Sequence, residues 1–129
     1  MRRLGISLSK LEKKQNLDSH LEQYITPGEL ASRWLFDIMA FGDIKPGCRV
    51  VDLGAGNGTL GIGASMLGAG FVTLVESDEE MCKIATKNAK DALRDGTYEI
   101  QKVEIGKEVP ILNEVDLVIS NPPWGRQTE

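Results

Sequence analysis

The sequence has very few residues of the types that bind metals or form disulfides. His20 is the single histidine among 129 residues, and Cys48 and Cys82 are two isolated cysteines. Because no Cys or His pair has metal-ligand spacing, a zinc finger or zinc ribbon is excluded. A disulfide scaffold is excluded as well, and free thiols are typical of a reducing compartment. We therefore expect a cytoplasmic protein without a metal site.

The sequence also lacks long apolar runs and an excess of positive charge. No signal peptide and no apolar run near the ~20 residues that cross a bilayer can be found, so we expect no membrane contact. The formal net charge is -4 and the pI is about 5.1, which excludes a protein whose whole surface binds nucleic acid. The chain is long enough for one globular domain.

Positive charge is nevertheless concentrated near the N-terminus. The stretch "MRRLGISLSKLEKK" contains only one acid, Glu12, beside five cations: Arg2, Arg3, Lys10, Lys13 and Lys14. Such a cluster is either the solvated face of a helix or a local arm that contacts phosphates. The sequence leaves both interpretations open.

Two helices are predicted before the first strand. Ser9 is followed three residues later by an acid, which is capping-box spacing and predicts a short helix that runs to about Gln15. "TPGE" predicts a second helix, with Thr26 as its N-cap and a proline at its first position. Gly42 marks the end of this second helix.

Strand and helix patterns alternate through the rest of the chain. The strand-like runs are "CRVVDL", "FVTLVE", "YEIQKVEI" and "VDLVIS". Between them, Gly61 and Gly63 in "TLGIGASML" indicate a closely packed helix, and Asp78 caps a helix from Glu79 to Arg94. This alternation predicts an α/β fold with a parallel sheet. We predict one domain, with an N-terminal helical segment at 1–45 and an αβ core at 46–129.

A glycine-rich loop follows the first predicted strand. In "VVDLGAGNGTLGIG" the strand ends in Asp52, and Gly54, Gly56 and Gly58 stand at every second position. Glycines allow sharp turns and a close approach of the backbone to a ligand. The next helix would direct its N-terminus at that ligand.

Two ligands fit this loop. Gly56, Gly58 and Gly61 match the dinucleotide pattern G-x-G-x-x-G, and Glu76 lies near the ~20-residue offset of its ribose-binding acid. However, Asp52 can face a ligand ammonium, and Glu76 can accept from both ribose hydroxyls. Two acids around a glycine loop favour S-adenosylmethionine, which has an amino-acid end, a ribose and no pyrophosphate. A non-catalytic NAD-binding module remains the alternative.

A rigid motif, "NPPW", follows the fourth predicted strand. In an open α/β sheet the carboxyl ends of the strands form the ligand crevice. Pro122 and Pro123 fix the direction of a backbone carbonyl, Asn121 adds a side-chain acceptor, and Trp124 offers a face for stacking. Two acceptors and a stacking face suit a conjugated amino group, which must be oriented before it attacks a methyl group.

At these residues the chain resembles the Rossmann-like amino methyltransferases. "LEQYITPGELASRWL", "VVDLGAGNGTLGIGASMLGAG" and "SNPPWG" are similar to the N6-adenine methyltransferases that modify small-subunit ribosomal RNA in archaea and eukaryotes. This resemblance covers almost the whole chain. It implies that Gln23 and Thr26 close over S-adenosylmethionine, and that a further set of residues lines the cofactor: Gly54, Asn57, Thr59 and Glu76. N-P-P-aromatic is shared with glutamine amide enzymes, so a protein glutamine N5 methyltransferase stays an alternative.

The resemblance implies further features of the site and its partners. Val103 or Glu104 stands where the family has an acid near the adenine of the cofactor, and Trp124 replaces the usual phenylalanine. The family's chains continue beyond this motif, so we expect a chain truncated after the fourth strand, with that strand as an exposed edge and no methylation by the 129 residues alone. Structured ribosomal RNA and a small zinc-binding activator protein are the implied partners.

Overall fold

A computed structural model describes residues 2–11 and 28–120. Its helices and strands, in chain order, are α1 (Arg2–Ser9), α2 (Gly28–Ala40), β1 (Arg49–Leu53), α3 (Thr59–Met66), β2 (Phe71–Glu76), α4 (Glu79–Ala92), β3 (Tyr98–Lys102) and β4 (Leu117–Ser120).

The strands form one parallel sheet in the order β3-β2-β1-β4. Asp52 of β1 lies opposite Leu74 of β2 and Ile119 of β4, so the strands end close to the same edge of the sheet. The predicted α/β fold with a parallel sheet is confirmed. Among the described residues, β4 pairs with β1 alone and lies at an edge of the sheet, as the sequence predicted.

The main core fills one face of the sheet. Its fully buried residues come from helices and strands alike and include Leu35, Ile62, Val72, Leu74 and Ala85. Helices α1 and α2 pack against each other and against α3, and α3 and α4 contact the strands. A smaller cluster on the other face contains Val51, Val75 and Val103, which follows from the alternation of side chains along the strands. The division into segments 1–45 and 46–129 stays a prediction.

The two glycines of α3 are packed closely on both sides of the helix. A Cβ atom at Gly61 would overlap Leu74 of the sheet, and a Cβ atom at Gly63 would overlap Leu35 of α2 and approach Leu8 of α1 to 3.1 Å. The prediction of close packing is confirmed. These glycines allow α3 to fit between the sheet and the N-terminal helices.

The structure also describes the two thiols and the lengths of the helices. Both Cys48 and Cys82 are free thiols. The helices in the described ranges are too short or too polar to cross a bilayer.

Several predicted element boundaries differ from the observed ones. Helix α1 spans Arg2–Ser9, ahead of the predicted helix, and the hydroxyl of Ser9 donates to the carbonyl of Gly5 at 2.8 Å; the predicted end at Gln15 lies outside the described residues. Burial of Leu4 and Leu8 stabilises this earlier helix. Helix α4 ends at Ala92, two residues before the predicted end, because Leu93 is already extended. Strand β3 ends at Lys102, three residues before the predicted end, although the amide of Val103 still donates to the carbonyl of Glu76. The predicted Asp78 cap is confirmed by its 2.9 Å bond from the amide of Met81.

We predict that Gly61→Ala lowers the stability of the fold. The new methyl group must move Leu74, which is fully buried, or push α3 away from the sheet. Overpacking of this kind costs about 1–3 kcal/mol, which urea denaturation followed by circular dichroism can measure.

Gly5→Ala is the matched control. A Cβ atom at Gly5 meets its nearest neighbour, Cα of Glu29, at 3.5 Å, which is an ordinary contact. Because alanine favours helix over glycine, this variant should be as stable as the wild type or more stable. Equal stability of the two variants would show that α3 does not need the small residue.

Candidate cofactor site

The loop between β1 and α3 folds back over the end of β2. Gly54, Gly56 and Gly58 all have positive φ angles, of 71°, 59° and 92°, which side chains rarely tolerate. The amides of Gly54 and Ala55 both donate to the carbonyl of Val75, at 2.8 and 2.9 Å. A Cβ atom at Gly54 would meet nothing within 4 Å. Gly54 therefore presents bare backbone to open space, where a ligand can approach closely.

Glu76 links this loop to the next one. Its Oε1 accepts from the amide of Gly56 at 2.7 Å, and its Oε2 accepts from the amide of Asp78 at 2.9 Å. The residue is 7% exposed. Each carboxylate oxygen can accept a second hydrogen bond. The carboxylate is thus fixed in orientation and can still accept from a pair of hydroxyls.

Asp52 is turned toward helix α3 and away from the loop surface. Its side chain is 1% exposed, and its Oδ2 accepts from the amide of Gly61 at 3.0 Å. Burial raises the pKa of Asp52 to about 7, the Gly61 amide opposes this shift, and the charge of Glu76 adds to it. The predicted contact of Asp52 with a ligand ammonium stays a prediction; in the structure its carboxylate binds the amide of Gly61 in the first turn of α3. Asp52 positions the loop.

Asn57 also binds a backbone amide at the start of α3, that of Thr59. Asn57 Oδ1 accepts from the Thr59 amide at 3.3 Å and from the Thr59 hydroxyl at 2.7 Å. Both residues are buried. Together with the Asp52–Gly61 bond, this arrangement occupies amides that would otherwise be free at the N-terminus of α3.

Asn88 supports the loop, and the sequence did not indicate it. Its Nδ2 donates to the carbonyl of Asn57 at 2.9 Å from a buried position in α4. The signal in the sequence that could have indicated this role is a polar residue on the buried side of α4, beside Met81, Ala85 and Ala89. The bond ties the helix after β2 to the glycine loop.

The two candidates after the third strand lie in different surroundings. Val103 is buried beside Val51 and Val75, and its amide donates to the carbonyl of Glu76 at 3.0 Å. Glu104 is exposed, and its carboxylate is 3.4 Å from Lys107. The backbone at Val103 therefore lies directly beside Glu76. A role of either residue in cofactor binding stays a prediction.

A cavity of about 400 Å³ opens beside the end of β4. Trp34 and Asp37 of α2 line it together with Leu60 of α3 and Ser120 of β4. The hydroxyl of Ser120 donates to the carbonyl of Leu53 at 3.0 Å, which fixes the last described residue before the "NPPW" motif. The predicted site residues Gln23, Thr26, Asn121, Pro122, Pro123 and Trp124 lie outside the described residues.

Residues 28–129 match the model of a protein family described as conserved hypothetical protein 95. The chain belongs to this family. The match begins at the first residue of α2 and includes the glycine loop, Glu76 and the "NPPW" motif.

Three similar proteins extend the comparison. The crystal structure of a candidate RNA methyltransferase from Pyrococcus horikoshii is 40% identical, with a TM-score of 0.83 over 98% of this chain and 61% of that one. An uncharacterised protein from Methanocaldococcus jannaschii is 33% identical over 96% of this chain and 58% of its own length. The ribosomal protein L11 methyltransferase of Thermotoga neapolitana is 39% identical over 82 residues, which are 60% of this chain and 28% of that enzyme.

The comparison establishes the type of fold. The sheet and its helices form a Rossmann-like methyltransferase fold, and the chain spans about three fifths of the length of the first two relatives. The Rossmann-like methyltransferase fold that the sequence resemblance implied is confirmed.

The buried Asp52 predicts a specific dependence of stability on pH. The unfolded chain releases the Asp52 proton near its ordinary pKa of 3.8, whereas the folded protein holds it up to about 7. Raising the pH through this window therefore favours the unfolded state, by on the order of 4 kcal/mol in full. Asp52→Asn keeps an acceptor for Gly61 and removes this dependence. We expect the melting temperature of the wild type to fall relative to Asp52→Asn between pH 4 and pH 7.

Asp116→Asn is the matched control for this measurement. Asp116 also accepts from a backbone amide, that of Arg49 at 2.8 Å, but it is exposed. Its variant should follow the wild type across the same pH range. A constant offset between the wild type and Asp52→Asn would contradict the proposed titration.

Proposed function

We propose that the protein is an S-adenosylmethionine-dependent methyltransferase that modifies the exocyclic N6 amino group of adenine in structured, ribosomal RNA. One observation carries the cofactor assignment. The carboxylate of Glu76 is fixed beside the open backbone of Gly54. At the N-terminus of α3, Asp52 and Asn57 already accept from the amides of Gly61 and Thr59. A fixed carboxylate beside open backbone supports a ribose as the ligand, and the bonds to the Thr59 and Gly61 amides leave fewer free donors for a phosphate.

The alternative of an NAD-binding module fits the same geometry poorly. A dinucleotide places its pyrophosphate on the free amides at the N-terminus of the helix after the glycine loop. Here the Gly61 amide is bound by the carboxylate of Asp52, and the Thr59 amide is bound by Asn57. A pyrophosphate would have to displace these bonds and would lie near the carboxylate of Glu76. S-adenosylmethionine carries a positive charge and no phosphate, so this carboxylate favours it.

The transfer itself needs orientation more than a strong base. When bound, S-adenosylmethionine supplies an electrophilic methyl group. Asn121 and the carbonyl of Pro122 would accept from the two N–H bonds of the target amino group, and Trp124 would stack on the base. The adenine must be unpaired or flipped out to reach these residues. Catalysis by this set comes from proximity and from the placement of acceptors.

The relatives support two substrate classes. The similarity to the Pyrococcus horikoshii protein over almost the whole chain favours RNA. The similarity to the Thermotoga neapolitana enzyme keeps methylation of a protein, including a glutamine amide, as the second candidate. That second similarity covers 60% of this chain, so we place RNA first.

Two further parts of the proposal concern the setting of the enzyme. The free thiols of Cys48 and Cys82 support a reducing, cytoplasmic compartment. A small zinc-binding activator protein is proposed from the sequence resemblance alone.

The decisive experiment is methyl transfer by the full-length protein. Purified protein is incubated with labelled S-adenosylmethionine and either total RNA or total protein, and the products are hydrolysed and separated. Label in N6-methyladenosine supports the proposal, whereas label in methylglutamine supports the second candidate. Thermal protection by NAD but not by S-adenosylhomocysteine would overturn both.

We predict that Glu76→Gln weakens S-adenosylhomocysteine binding by about tenfold to a hundredfold. The change removes the charge that strengthens the bonds to ribose hydroxyls, and such a bond contributes roughly 1.5–3 kcal/mol. Titration calorimetry measures the affinity. Thermal unfolding tests whether the variant is still folded, because Glu76 also binds the amides of Gly56 and Asp78.

Glu99→Gln is the matched control for Glu76. The carboxylate of Glu99 accepts from the Thr73 hydroxyl at 3.1 Å, and strand alternation places it on the opposite face of the sheet. This variant should bind S-adenosylhomocysteine like the wild type. Unchanged affinity in a folded Glu76→Gln variant would show that this carboxylate does not hold the ribose.

We predict that Asn121→Ala retains cofactor affinity and loses methyl transfer. One positioned acceptor is worth on the order of a hundredfold in rate. Asn113→Ala, in the exposed connection between β3 and β4, is the control and should keep full activity. Wild-type turnover by Asn121→Ala would refute the active-site interpretation of "NPPW".

A further inference from the structure

A groove of about 490 Å³ lies between α1 and α2 and has no part in the candidate cofactor site. On one side, Arg2, Ile6 and Lys10 stand at intervals of four residues and therefore share one face of α1 and the turn that follows it. On the other side, Glu29 and Arg33 stand four residues apart on α2. The groove thus carries three cations, one acid and an apolar side chain.

Small residues form the floor of this groove. A Cβ atom at Gly5 would lie 3.5 Å from Cα of Glu29 and 3.6 Å from Cβ of Ser32, and a Cβ atom at Gly28 would overlap Ser9. The two helix backbones are therefore in close contact. Because the residues of the floor are small and uncharged, a ligand in the groove would meet the long side chains at its rim.

The cations at the rim are available for a partner. Arg2, Lys10 and Arg33 are exposed, and none of them forms an ion pair within the described ranges. Several lysines elsewhere, by contrast, pair with a neighbouring acid, as Lys87 does with Asp91 at 3.1 Å. The groove thus brings three cations together on one surface of a chain whose net charge is -4.

We propose that this groove binds the phosphate backbone of the RNA that carries the target adenine. The inference rests on the proposed function, and it adds a surface that the cofactor site does not contain. Arg2 and Lys10 lie about 12 Å apart along α1, and Arg33 faces them from α2. Cations on both sides of a groove suit a chain of phosphates, and each contact makes binding more sensitive to salt. The apolar surface of Ile6, which is 52% exposed, suits a sugar or a base.

The test compares two triple variants of the full chain. Arg2→Gln, Lys10→Gln and Arg33→Gln remove the cations of the groove. Lys83→Gln, Lys87→Gln and Lys90→Gln remove the same charge from α4 and serve as the matched control. A fluorescently labelled RNA hairpin with an unpaired adenine is titrated by anisotropy over a series of salt concentrations. S-adenosylhomocysteine affinity is measured on the same samples.

We expect the groove variant to lose about tenfold or more in RNA affinity at low salt. Its plot of log affinity against log salt should also lose a slope of about one for each phosphate contact removed. The α4 variant should keep most of the affinity and the slope, and both should bind S-adenosylhomocysteine like the wild type. Equal losses in the two variants, an unchanged groove variant or no RNA binding by the wild type would overturn the proposal.

Two further results separate this proposal from the others. Competition by polyglutamate as strong as competition by unlabelled RNA would indicate an acidic protein as the occupant and would overturn the assignment to RNA. If the groove variant loses RNA binding as expected but no label enters N6-methyladenosine, the groove stands and the proposed reaction fails.

Discussion

The buried hydrogen bond between Asp52 and the amide of Gly61 fixes the geometry on which the candidate site depends. It joins the end of β1 to the first turn of α3 at 3.0 Å, so the glycine loop between them has a fixed span. Gly61 has to be a glycine for a separate reason, since a side chain there would overlap Leu74. The acid that forms this bond is buried, and burial raises its pKa to about 7. Folding therefore favours a protonated Asp52 over a range of pH in which the free side chain is ionised.

Glu76 performs two tasks with the same two oxygens. It holds the loops after β1 and β2 together, and it is the carboxylate proposed to bind the ribose. Because its amide partners are already in place, binding a nucleoside needs no reorganisation of the carboxylate. Its negative charge also contributes to the raised pKa of Asp52. The two acids are coupled, so a positively charged ligand near Glu76 should ease the ionisation of Asp52.

The sequence predicted the fold well because its local signals agreed with the tertiary structure. "FVTLVE" coincides with β2 since its residues before Glu76 are apolar or β-branched on both faces, and Asp78 caps α4 as its position indicated. Ser9 misled because its spacing to an acid fits a capping box, whereas burial of Leu8 favours the helix that precedes it. The orientation of Asp52 could not be predicted, since strand alternation gives the face of a side chain and not its partner. The role of Asn88 depends on a contact 31 residues away.

The distribution of charge separates the two proposed ligands. The crevice at the ends of β1 and β2 contains the carboxylate of Glu76, which attracts a cationic group and repels phosphates, whereas Asp52 is buried and bound to Gly61. The groove between α1 and α2 contains Arg2, Lys10 and Arg33, which attract phosphates and repel that cofactor. Since electrostatic attraction raises association rates and selects between partners, each ligand is directed to its own surface. An acidic chain can therefore act on RNA as long as its cations are concentrated where the backbone of the RNA lies. The net charge of -4 then limits binding of RNA elsewhere on the protein.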